Sequence, residues 1–170
     1  MAARFAGLVC LVSLIGVVSA QPVKPHRDKP LASKDGAKMF KAESWKRVHA
    51  AAEKLLQDAG TDFVIDTIES VPKITADQAK KMTLEEKEKL FHGLVSDRAK
   101  ADGLRGVYVL ISKSNPKYLY VGSTGDAHFP SGEASKIRVA LLAGIRDKKA
   151  DEALIKVVNL ALEAKGLGEK

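Results

Sequence analysis

The sequence predicts an α/β fold: a three-layer sandwich whose small mixed sheet, two parallel strands plus an antiparallel hairpin strand, carries helices on both faces. Three observations predict it. Two short runs dense in β-branched and aromatic residues, 63–68 and 107–111, flank a long stretch of helical periodicity, the pattern of a right-handed crossover between parallel strands. The turn Ser114-Asn115-Pro116-Lys117 follows the second run and sends the chain back as residues 118–121. Amphipathic helices before and after this unit supply cover for both faces.

The first helix is expected over residues 38–59, with Trp45, Val48, Ala52, Leu55 and Ala59 on one face and Gly60 as its stop. The first strand follows and ends at Val71-Pro72. A second helix opens on the capping box Thr83/Glu86, with an earlier box at Thr75/Gln78. Its stripe is Leu84, Phe91, Leu94, Val95 and Arg98, and Gly103 stands at its C-terminal cap. The second strand is almost wholly apolar, as a buried central strand should be. Ser131 is expected to cap a third helix with Ala134, Ile137, Leu141 and Ile145 inward, and Arg146, Lys148 and Lys149 near its negative end. Leu154, Val157, Val158, Ala161 and Leu162 mark a fourth that stops near Gly166.

Residues 1–20 read as a secretory signal peptide: Arg4, an apolar run over 8–18, and Val18-Ser19-Ala20 as the cleavage site. The run is shorter than the ~20 residues of a membrane span. Residues 21–37, with Pro22, Pro25, Pro30 and Gly36, are expected to form a flexible linker, and 38–165 the folded domain. The expected location is secreted or periplasmic, with no transmembrane helix in the mature chain. The one cysteine, Cys10, lies in the leader. The mature chain therefore has no disulfide, thiolate metal site or cysteine nucleophile.

The 170 residues are 45% hydrophobic and 29% charged, which excludes a disordered, collagen-like or multi-pass chain. Lysine and arginine number 28 against 21 acids, a net charge of +7 that favours anionic contacts, including peripheral contact with an anionic surface. An aromatic content of 5%, without a helix-turn-helix or zinc-finger pattern, argues against nucleic acid.

The expected pairing brings one set of polar residues to one end of the sheet. Counting outward from the hairpin turn sets Asp102 opposite residues 126–128, and a parallel first strand opens with Asp62 at the same end. Asp62, Asp102, Asp126 and His128 are therefore expected to converge. Oxygen ligands from Asp102 and Asp126 would suit a divalent cation such as calcium, and a carboxylate beside a histidine could exchange protons. The alternative is a set of solvated turn and cap residues, and Arg105 would bring positive charge into the same loop. Gly122-Ser123-Thr124-Gly125 reads either as a backbone nest for phosphate or as a turn. Asp66 is expected to meet a helix boundary or a base such as Arg98. His26, His49, His92 and His128 have no metal spacing, and no Gly-x-Ser-x-Gly elbow exists.

The chain resembles the TPM domain family, the exported bacterial relatives of thylakoid-lumen photosystem II repair proteins. The resemblance rests on Asp62-Phe63-Val64-Ile65-Asp66-Thr67-Ile68, on Arg98-Ala99 ahead of Gly106-Val107-Tyr108-Val109-Leu110-Ile111, and on Tyr118-Leu119-Tyr120-Val121-Gly122. It implies an α/β sandwich outside the cytoplasm, with acid phosphatase activity in some members, membrane-complex assembly in others, and calcium at the end that precedes the Gly-Val strand. Leu104 and Arg105 stand where an Asp-Asn pair is common, and a Gly-x-Gly-Leu-Glu stretch is reduced to Gly122-Ser123-Thr124-Gly125-Asp126. The leading expectation is therefore a non-catalytic binding or assembly module with a protein partner in the cell envelope. The alternatives are a metal-assisted, acid-phosphatase-like hydrolase and a non-specific binder of anionic surfaces.

Overall fold

The computed structural model describes residues 25–125 and 128–168. Its order is β1 (Lys34–Asp35), α1 (Ala42–Ala59), β2 (Asp62–Ile68), α2 (Ala76–Lys81), α3 (Leu84–Ala101), β3 (Gly106–Ser112), β4 (Tyr118–Ser123), α4 (Ser131–Arg146) and α5 (Ala150–Glu163). The strands form one sheet in the order β1-β2-β3-β4. β2 and β3 are parallel from Asp62↔Gly106 to Ile68↔Ser112, and β3 and β4 are antiparallel from Ser112↔Tyr118 to Val107↔Ser123. The predicted mixed α/β sandwich is present, with a fourth strand added.

That strand corrects the linker expectation for the described part of residues 21–37. β1 pairs in parallel with β2 through Lys34↔Asp66 and Asp35↔Thr67. Its partners are tertiary. Ser33 Oγ accepts from the Ile65 N–H at 3.0 Å, the Lys34 N–H donates to Asp66 Oδ1 at 2.9 Å, and the Thr67 hydroxyl donates to Asp35 Oδ1 at 2.6 Å. Asp35 then accepts from the Met39 and Phe40 N–H groups and turns the chain toward α1.

Alternation along the strands divides the core. Phe63, Ile65, Val107, Val109 and Ile111 face the layer of α1, α4 and α5, while Val64, Tyr108 and Leu110 face α3 with Phe91 and Val95. Gly60 closes α1 in the left-handed conformation (φ 59°), with its N–H on Leu56 O and that of Thr61 on Leu55 O. Both capping boxes form, at Thr75/Gln78 and Thr83/Glu86. They start two helices where one was expected, because Met82 is extended between them. Pro130 is the N-cap residue of α4 and Ser131 its first helical residue, which corrects the expected Ser131 cap: the helix begins one residue earlier than that reading required. At Gly106 the backbones of β2 and β3 are so close that a Cβ would collide with the Asp62 carbonyl.

Candidate functional site

The N-terminal ends of β2 and β3 and the C-terminal end of β4 share one corner of the sheet. Asp62 opens β2 there and its side chain is wholly buried. Asp62 Oδ2 accepts from the Arg105 N–H at 2.8 Å and lies 2.9 Å from His26 Nε2. Arg27 Nε lies 3.0 Å from that nitrogen and 3.3 Å from Asp62 Oδ1. His26 Nε2 thus stands between the Arg27 Nε–H, which donates to it, and the Asp62 carboxylate, which balances the Arg27 charge. His26 Nδ1 and Asp62 Oδ1 are buried without a hydrogen bond, so this neutralisation is electrostatic more than directional.

Asp102 is the C-cap residue of α3 and is exposed. It meets Asp62 only through Arg27, whose Nη2 donates to the carbonyls of Asp102 and Gly103 at 3.0 and 2.8 Å. Arg105 reaches the corner through its main chain, its side chain being exposed. His128 also contributes main chain: its carbonyl accepts from Thr61 Oγ1 at 3.2 Å and Lys165 Nζ at 3.1 Å. Asp126 lies outside the described residues. Among the described residues no group of three histidine, cysteine or acidic side chains is placed to hold a metal. In the glycine-rich stretch, the Thr124 N–H donates to Gly106 O, and Thr124 Oγ1 accepts from the Gly106 N–H. Gly125 (φ 93°) offers its carbonyl to the His128 and Phe129 N–H groups. These groups are spent on a turn that splices β4 to β3. Gly122 lies on β4 against Val95.

Farther along β2, Asp66 makes the pairing with Arg98 expected from the sequence, at 3.3 Å. The Tyr108 hydroxyl also donates to Asp66 Oδ2, while Oδ1 takes the Lys34 N–H. Burial, then the Asp66 carboxylate, pushes the Tyr108 hydroxyl above its ordinary range despite Arg98 nearby. This cluster floors a cleft of about 490 Å³ bordered by Leu31, Ala32 and Gly36.

His26 and Arg27 were not singled out as site residues in the sequence. They lie in the stretch expected as a linker and reach Asp62 from 36 and 35 positions away, a separation without local pattern. Their basic, proline-flanked composition was the one available signal.

A mixed sheet with a crossover helix and helices on both faces is the architecture of an α/β sandwich module. The model of the TPM domain matches residues 33–164, and the chain belongs to that family. A search of curated proteins gives no match. The N-terminal domain of the cg2496 protein from Corynebacterium glutamicum, solved in solution by NMR, is similar in fold, with a TM-score of 0.56 and 7% identity over 89% of this chain and 88% of that one.

Proposed function

We propose that this TPM domain is an exported, non-catalytic module that binds or helps assemble a protein partner in the cell envelope. The observation that carries the reading is the placement of Arg27. Its guanidinium stands between the Asp62 carboxylate and the carbonyls of Asp102 and Gly103, the ground a cation would need. Arg27 already balances the wholly buried Asp62 carboxylate, and a second cation beside it would meet repulsion. Export is supported by the apolar run and the Val18-Ser19-Ala20 site in the sequence. Among the described residues no helix is long and apolar enough to cross a membrane.

The test uses the full chain, with p-nitrophenyl phosphate as probe and calcium or magnesium added or withheld. The expected result is no turnover above buffer and no metal-dependent change in melting temperature. Turnover that disappears in Asp102→Ala overturns the reading in favour of a metal-assisted hydrolase.

A further inference from the structure

β4 is an edge strand, since the sheet order ends with it. The Thr124 N–H donates to Gly106 O, so these two residues form a hydrogen-bonded pair of the antiparallel ladder. Alternation then gives the β3-directed groups to Tyr118, Tyr120 and Gly122, and turns the N–H and C=O of Leu119, Val121 and Ser123 outward. Exposed edges are ordinarily guarded by charge, proline or a bulge. The six residues of β4, Tyr-Leu-Tyr-Val-Gly-Ser, contain neither charge nor proline.

That edge is the floor of a slot. Residues 120–124 line a groove of about 560 Å³, together with His92, Ser96 and Lys100 of α3 and Ala134, Ser135 and Arg138 of α4. The two helices cover opposite faces of the sheet, so the groove opens sideways, in the plane where another strand would lie. Gly122 lets α3 pack closely on β4 here, since an added Cβ would press on Val95. Among the described residues no carboxylate lines the groove; Glu88 stands at the rim, 3.9 Å from Arg138. His92 holds the Tyr120 hydroxyl at 2.7 Å and Arg138 donates to the Tyr118 hydroxyl at 3.2 Å, which fixes the walls.

We propose that this slot accepts an extended, acidic segment of a protein partner as a fifth strand beside β4. Alternating main-chain donors and acceptors match another polypeptide backbone, and the basic walls select acidic side chains from it. The proposal rests on the binding-module reading and names the partner's chemistry.

The probe is the peptide acetyl-Glu-Val-Glu-Val-Glu-Val-amide, titrated into the isotope-labelled full chain and followed by NMR. The expected result is saturable shifts at the Leu119, Val121 and Ser123 amides, no binding by a peptide N-methylated along its pairing edge, and weaker binding by the lysine-for-glutamate peptide. Val121→Pro removes an outward N–H and leaves the β3 ladder intact; it is expected to fold and to bind about tenfold more weakly. Lys100→Glu, on the exposed wall, is expected to weaken the acidic peptide and strengthen the lysine one. Undisturbed edge amides at millimolar peptide, equal binding of the two peptides, or full binding by folded Val121→Pro overturns the proposal. A concentration-dependent dimer that Val121→Pro abolishes also overturns it, in favour of a second copy as occupant. The phosphomonoester assay is run without peptide, so failure of the module reading is read separately from failure of the slot.

Discussion

Asp62 and Asp66 lie on the same face of the same strand, and both are buried, yet they are held by different parts of the chain. The charged and hydroxyl partners of Asp66 come from within the fold: Tyr108 from β3 and Arg98 from α3. The side-chain partners of Asp62, His26 and Arg27, come from a segment that precedes β1. Asp66 is tied into the framework, whereas Asp62 is covered by residues 26 and 27, which lie outside the strands of the sheet. A buried charge is expensive when its partner is lost, so the loss is expected to act locally at Asp62 and across the sheet at Asp66.

The largest effect is expected from the two carboxylates themselves. Asp66→Ala leaves the buried Tyr108 hydroxyl and the Lys34 N–H without an acceptor and the Arg98 guanidinium without its carboxylate. It is expected to cost about 3 kcal/mol in urea unfolding. Asp62→Ala strands the Arg105 N–H, while Arg27 keeps the Asp102 and Gly103 carbonyls as acceptors, and about 1–2 kcal/mol is expected. The reverse order would break the comparison.

A smaller effect sharpens it. Arg27→Ala removes the bridge from Asp62 to the Asp102 and Gly103 carbonyls. Hydrogen exchange is expected to speed up over residues 25–32 while β2 and β3 stay protected, with about 1 kcal/mol lost overall because the Arg105 N–H and His26 still serve the carboxylate. Faster exchange throughout β2 would show that this segment is part of the framework after all.

The smallest is a pH effect at Tyr108. Its hydroxyl is raised above the ordinary value of 10.0 by burial and by Asp66. Above that value the unfolded chain releases a proton that the folded chain keeps, so the tyrosine's contribution is complete below pH 10 and fades as pH rises toward the folded value. Tyr108→Phe is expected to show a shallower fall in urea midpoint than the wild type between about pH 8 and about pH 11. Parallel curves would remove Tyr108 from the linkage.

How much of this was legible depended on the range of the interactions. β2, β3 and β4 were readable because apolar density and a turn sequence are local signals. Arg98 could be matched to Asp66 because it falls on the α3 stripe that faces β2. β1 was not readable. Lys34 and Asp35 have no strand composition, and they pair only because Ser33, Asp66 and Thr67 supply hydrogen bonds from elsewhere. The corner at Asp62 was placed by hairpin register and crossover direction, which are also local rules. What fills it was not, because His26 and Arg27 arrive from a distant, basic stretch. The capping boxes were both recognised, but two helices were merged into one, since nothing in the composition marks Met82 as extended.

The tight crossing at Gly106 has a consequence for how the two central strands find each other. β3 is apolar on both faces, so a β3 shifted by one step would still bury greasy side chains, and its hydrophobic pattern chooses weakly among such alignments. One step of slippage would bring Val107 to the place where no Cβ fits beside the Asp62 carbonyl. A missing side chain thus acts as the alignment pin of the sheet: it admits one partnering of the strands and turns the neighbouring ones into collisions.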